Sequence, residues 1–189
     1  MTYPWASGDV LTAANLNAAF GLVLVTESSF TTTNTVNVSS CFSSTFSNYR
    51  VIVTLTAQSG NQLLYFRYRS GSTNNTSSLY DLAGVEYATG SASITFLGSM
   101  GADKARLNFC YATPGYATAV LDITNPYAAA YTSHVSNSLS VNSTTAVLVD
   151  ELRGFYRGTT SFDGISFGLY DNAALTISGK VAIYGYGNP

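Results

Sequence analysis

Charge is what this 189-residue chain has least of. Asp, Glu, Lys and Arg make up 10% of it, against about 25% in an average soluble domain. Eight basic residues face ten acidic ones, for a net charge of −2. No basic run occurs, and the nearest approach is Arg67 and Arg69 around Tyr68. A surface that tracks phosphates needs clustered Lys and Arg, so nucleic acid is not an expected partner. Histidine and cysteine are as sparse: His134, Cys41 and Cys110 are all there are. They cannot make a zinc site at ligand spacing, and two cysteines are too few for a disulfide framework. Cys41 lies beside Phe42, and Cys110 between Phe109 and Tyr111. Both read as small buried hydrophobes, with a single bridge between them as the alternative. No apolar run reaches the roughly 18 residues of a membrane span. Positions 1–9 carry no signal-peptide pattern. Neither membrane insertion nor secretion by that route is expected.

Catalytic patterns are missing as well. His134 sits in Thr132-Ser133-His134-Val135-Ser136, an ordinary strand sequence, and no Gly-x-Ser-x-Gly elbow accompanies it. Asp81 with Glu86, and Asp150 with Glu151, are the acids closest in sequence. Neighbouring residues of a strand point to opposite faces, so Asp150 and Glu151 would not converge. No phosphate-cradling glycine loop occurs. The expectation is a protein without cofactor and without enzymatic activity.

What is present is Ser, Thr, Asn, Gly and an unusual amount of tyrosine, 14 residues of it. Thr, Tyr, Val, Ile and Phe suit a pleated, half-buried surface. A weakly charged exterior protects poorly against association, which a subunit of a permanent assembly tolerates. The one convincing helix is at the start. Thr12 is placed as an N-cap, Ala13 to Phe20 follow, and Gly21 stands at the C-terminal stop. Leu16, Ala19 and Phe20 share a face. So short a helix is not stable alone and must dock, with Trp5 as a second anchor.

From Leu22 onward the pattern alternates, as half-buried strands do. Val51, Val53, Leu55 and Ala57 share one face. Leu64, Phe66 and Tyr68 oppose Tyr65, Arg67 and Arg69. Leu107, Phe109 and Tyr111 align, as do Ala119, Leu121 and Ile123. Turn signals such as Ser59-Gly60-Asn61, Thr113-Pro114-Gly115 and Asp163-Gly164 separate these runs. The reading is an arm and helix over 1–21 and an all-β domain over 22–189. That domain is expected to be an antiparallel β-sandwich, jelly-roll-like, with the strand order left open. Tyr65, Tyr184, Tyr186 and Tyr87 fall on outward positions. With Arg67 and Arg69 they are candidates for contact with a neighbouring subunit or a ligand. Cross-strand packing explains the tyrosines equally well.

Three stretches resemble bacteriophage structural proteins. The segment Trp5-Ala6-Ser7-Gly8-Asp9-Val10-Leu11-Thr12-Ala13-Ala14-Asn15-Leu16-Asn17-Ala18-Ala19-Phe20 resembles the capped helix that opens many tail-fibre and minor virion proteins. Gly179-Lys180-Val181-Ala182-Ile183-Tyr184-Gly185-Tyr186 resembles the closing strand of a group of β-sandwich virion proteins, and Phe46-Ser47-Asn48-Tyr49-Arg50-Val51 its second strand. The resemblance implies a particle-anchoring element carried by Trp5, Leu11, Leu16 and Phe20. It also implies a β domain that trimerises or coats. Long fibres carry repetitive shafts, and this chain has none. The expectation is therefore a short homotrimeric tail fibre located in the virion, touching other virion proteins and a host surface glycan. A capsid decoration protein is the first alternative, and a carbohydrate-binding module the second.

Overall fold

Successive side chains of an extended chain point to opposite faces, so alternation of apolar and polar residues builds a sheet with one buried side. The computed structural model describes residues 21–113, 115–142, 146–170 and 174–187. The expected arm and helix, with Trp5, Leu11, Leu16 and Phe20, lie outside the described residues. In chain order the strands are β1 (Leu22–Thr33), β2 (Thr35–Val38), β3 (Asn48–Gln58), β4 (Gln62–Ser70), β5 (Thr73–Asn74), β6 (Tyr80–Ala88) and β7 (Ser93–Ala102). They continue with β8 (Ala105–Cys110), β9 (Ala117–Thr124), β10 (Thr132–Asn142), β11 (Ala146–Tyr156), β12 (Gly164–Leu169) and β13 (Ile177–Tyr186). Every pairing is antiparallel.

The larger sheet runs β1-β13-β3-β9-β10-β11-β6-β7, and the smaller runs β2-β12-β4-β5 with β8 also paired to β4. Four pairings make the frame: β1 with β13, β2 with β12, β3 with β9 and β4 with β8. Rolling one ribbon of these pairs lays β1-β13-β3-β9 over β2-β12-β4-β8, the eight-strand order of a jelly roll. The antiparallel sandwich expected from the alternation is thus the fold. Two insertions enlarge it. β6 and β7 lie in the connection from β4 to β8, and β10 and β11 in the connection from β9 to β12. Together they extend the larger sheet beyond β9. The smaller sheet meets this extension mainly through β8, which packs on β10, β11 and β6.

The core fills the space between the frame sheets. Val51, Val53 and Leu55 of β3, Leu64 and Phe66 of β4, and Val181 and Ile183 of β13 are buried. Each such side chain contributes roughly 1.5–3 kcal/mol by leaving water. Aromatic rings close one end. Tyr68 stacks on Phe162 at 4.9 Å, and Tyr156 meets Tyr80 edge-on at 5.1 Å. The Tyr80 hydroxyl accepts from the Tyr68 amide at 2.9 Å. Cys41 and Cys110 are free and buried, not bridged. Burial pushes both thiols up to about 12.

Two strand facings differ from the sequence reading, and each follows a bulge. The β3–β13 register slips between Ser178 and Gly179, so Gln58 points inward and Ala57 is exposed. The β4–β8 register slips between Leu64 and Tyr65, opposite Leu107. Leu107 is buried, but beyond the slip Asn108 and Cys110 turn inward and Phe109 is only half-buried, tilted against Tyr111 at 4.9 Å. An extra residue in one strand reverses the parity of all that follow.

Candidate functional site

Strand β10 of the extension breaks the rule that built the frame. On β10 the inward positions are Thr132, His134, Ser136, Ser138 and Ser140, all buried. The outward positions between them include Val135 and Leu139, 37% and 41% exposed. On β7, Ser93 and Thr95 share the inner side with Leu97, while Ile94 and Phe96 stand outward, 60% and 86% exposed. β6 sets Tyr87 and Val85 beside them, and β11 adds Val149. On β10 the polar side is buried and the apolar side faces out, whereas on β7 Ser93 and Thr95 are exposed as well and on β11 Leu148, Leu152 and Tyr156 are buried. Contiguous apolar surface of this kind marks an interaction site in a folded domain.

Polar groups line the inner side. Ser138 Oγ donates to the Leu107 carbonyl at 2.9 Å. The hydroxyls of Thr132, Ser136 and Ser140 and Nε2 of His134 find no hydrogen-bond partner among the described residues. His134 packs edge-on against Phe66 at 5.0 Å, with Nδ1 3.5 Å from the Tyr68 hydroxyl. Burial brings its pKa down to about 4, so the ring is neutral at physiological pH. Nearby, strand register places Asp150 opposite Glu86. Arg106 reaches in from β8, with its Nη2 2.9 Å from Asp150 Oδ2 and also bonded to Glu86. Burial raises the Asp150 carboxyl to about 6, against the opposing pull of Arg106. A single guanidinium holds both acids, an arrangement that ties three strands together.

Where β6 and β7 overhang β8, a cleft of about 170 Å³ opens, lined by Leu63, Leu82, Leu97, Lys104, Arg106 and Tyr170 among others. Lys104 Nζ sits 3.9 Å from the centre of the Tyr170 ring and 3.6 Å from Asp103. This cation–π contact and ion pair hold the ammonium at the rim.

The residues singled out from sequence fall in different places. Tyr65 and Arg67 are on the outer side of the smaller sheet, with the Arg67 guanidinium 5.0 Å from the Tyr65 ring and bonded to Asp103. Although burial works against it, Arg67 lowers the Asp103 pKa. Arg69 is not at the surface. It is 5% exposed and bonds Asn37 at 2.6 Å, Asn74, and the Ser72 carbonyl at 2.7 Å. It clamps the β4–β5 turn, where it cannot meet a partner. Tyr184 and Tyr186 lie on the outer side of the larger sheet, opposite Arg50 and Leu22 in register. Tyr186 donates to Asp122 at 2.6 Å, and Asp122 accepts two bonds from Arg50 at 2.8 Å. Those bonds lower the Asp122 pKa, Arg50 first. Tyr65 and Tyr186 thus occupy opposite sides of the sandwich. Tyr87 alone of the outward tyrosines belongs to the apolar side of the extension, at 37% exposure.

The sequence reading passed over Ile94, Phe96, Val135, Leu139 and Phe155. Their alternation was legible, but alternation names two faces and does not say which is outside. Comparison with protein-family models, curated proteins and solved structures found nothing that matches this chain.

Proposed function

We propose that the chain is a non-enzymatic structural subunit of a bacteriophage particle. In this reading it is a short tail-fibre or tail-associated protein. Its N-terminal arm, through Trp5, Leu11, Leu16 and Phe20, anchors it to other virion proteins, and its β domain packs against copies of itself. The observation that carries this is the extension: four strands added to a complete jelly roll, with the polar side of β10 buried and large apolar residues of β7, β10 and β11 exposed. A freely diffusing domain pays for such a surface in solubility, whereas an assembly subunit buries it. The low charge and the resemblance of three segments to virion proteins support the same reading. Jelly rolls recur in viral capsid and lectin domains, which is fold-level analogy only. Decoration of the capsid shell shares these supports except the likeness of the N-terminal segment to tail-fibre proteins, while small size without a shaft favours decoration, and position on the particle separates the two.

Immunogold electron microscopy of purified phage, with antibody to the β domain, is the test. Label on the tail is the expected result, and label over the head makes the chain a decoration protein. Particles without label would remove the virion reading. A second reading, sugar binding, is favoured by Tyr127 and Tyr131, 43% and 60% exposed at either end of one loop. A glycan array probes it: binding that Tyr127→Ala and Tyr131→Ala abolish would establish a sugar site there.

A further inference from the structure

We infer that the outer side of β10, β11, β6 and β7 is the interface of a two-fold dimer of this chain, closed by reciprocal Glu151–Arg153 ion pairs. The inference rests on the reading of the chain as a self-assembling subunit and supplies the surface and the symmetry.

The surface is large enough. Ile94, Phe96, Met100, Leu139 and Phe155 are exposed by 60%, 86%, 84%, 41% and 53%. With Tyr87 and Val135 they offer on the order of 800 Å² of apolar area, the share each partner gives to a standard interface. Burying it in a second copy also resolves the inversion of β10 and covers the apolar residues of β7, which would otherwise be wet.

Charge decides the occupant. Glu151 and Arg153 are the charged residues on the outward side of β11, two positions apart, with Val85 and Asn137 flanking Glu151 and Ala83 and Val135 flanking Arg153. Neither forms an ion pair with any described residue. An acid and a base spaced along one strand are matched by the same strand running the other way. A two-fold axis crossing the strands at Leu152 sets Glu151 of each copy opposite Arg153 of the other. A self-complementary patch of this kind is the mark of an isologous interface.

Shape agrees along the same rows. Strand pairing puts Phe96, Val85 and Glu151 in one row across β7, β6 and β11, and Gly98, Ala83 and Arg153 in the next. The same axis lays each row on its neighbour in the second copy. Phe96, the most exposed ring, then meets the bare backbone of Gly98, where a Cβ would have only the Leu82 carbonyl for company, at 3.8 Å. Val85 meets Ala83. Large against small and acid against base recur in one operation. Sheets packed face to face stand about 10 Å apart, the distance these side chains span.

The test is light scattering on the full chain after size exclusion at micromolar concentration, with circular dichroism to verify folding. The wild type is expected at twice the monomer mass. Glu151→Arg and Arg153→Glu, each placing like charges opposite, should weaken the dimer at least tenfold and run as monomers. Mixing the two variants should restore a dimer, and the double swap Glu151→Arg with Arg153→Glu should restore it alone. A wild-type monomer or trimer, single variants that stay dimeric, or a mixture that stays monomeric would each overturn the inference. The particle-labelling experiment is independent of these outcomes. Labelled particles with a monomeric or trimeric chain leave the proposed function standing without the two-fold dimer, and a dimer with unlabelled particles does the reverse.

Discussion

His134 and Asp150 are buried ionisable residues on adjacent strands, 2% and 0% exposed, and burial moves them in opposite directions. His134 falls to about 4 from 6.5, so its contribution to stability is present above pH 6.5 and is lost as pH drops through 4. Asp150 rises to about 6 from 3.8, so its contribution is present below pH 3.8 and is lost as pH climbs through 6. Each effect is worth roughly 3 kcal/mol. Between pH 4 and 6 they oppose one another. Thermal melts of the wild type should therefore change little over that window, while Asp150→Asn should melt at steadily lower temperature as pH is reduced from 6.5 to 4. A level profile for Asp150→Asn would show that the imidazole is not desolvated. Facing matters at the same scale. Val53 is 1% exposed, and Val53→Asp buries an unpaired charge, a loss above about 4 kcal/mol that should leave no cooperative transition in urea. Phe109, turned aside by the bulge, should tolerate Asp at a cost of about 1 kcal/mol, although its sequence pattern alone makes the two equivalent.

Strand β10 shows how an element can contradict its own pattern. Its apolar residues point out because both neighbours fix its register: β9 sets Ser136 against Leu121, and β11 sets it against Leu152, both fully buried. The cost is a row of buried hydroxyls. Replacing Ser136 or Ser140 by Ala removes a hydroxyl that has no described partner, so stability should be unchanged or rise by up to about 1 kcal/mol in chemical denaturation. β11 makes room for the histidine with glycine. A Cβ at Gly154 would stand 2.2 Å from the Asp81 carbonyl and 2.5 Å from His134 Nε2. Gly154→Ala should therefore lose about 3 kcal/mol, measured the same way. Neither the backbone oxygen nor the packed ring can yield cheaply.

The described residues form a complete jelly roll whose larger sheet is extended by four strands. β1 opens the frame at Leu22, and the Gly187 amide closes onto the Gly21 carbonyl at 2.8 Å. Among the described residues, every strand pairing lies within 22–186. Deleting residues 1–20 should leave the β domain folded, with an unchanged circular dichroism spectrum and cooperative melting, while preventing incorporation into particles. Truncated protein found in particles at normal copy number would end the anchoring idea. Removing β13 instead should unfold the domain, because that strand joins β1 to β3.

Composition and alternation by themselves determined the class of this protein: all-β, antiparallel, charge-poor, with cysteines read as buried. They determined the frame facings of Val51, Val53, Leu64, Phe66, Leu121 and Ile123, since a period of two is a local property of an extended chain. Tertiary structure decided the rest. Bulges opposite Leu107 and beside Ser178 reversed Phe109 and Ala57, and a bulge leaves no mark on the period before it. Pairing across distant strands brought Glu86, Arg106 and Asp150 together and buried Arg69 under its turn. It also chose which face of β10 lies outside. Alternation is symmetric between two faces, and only the strands packed on either side break that symmetry.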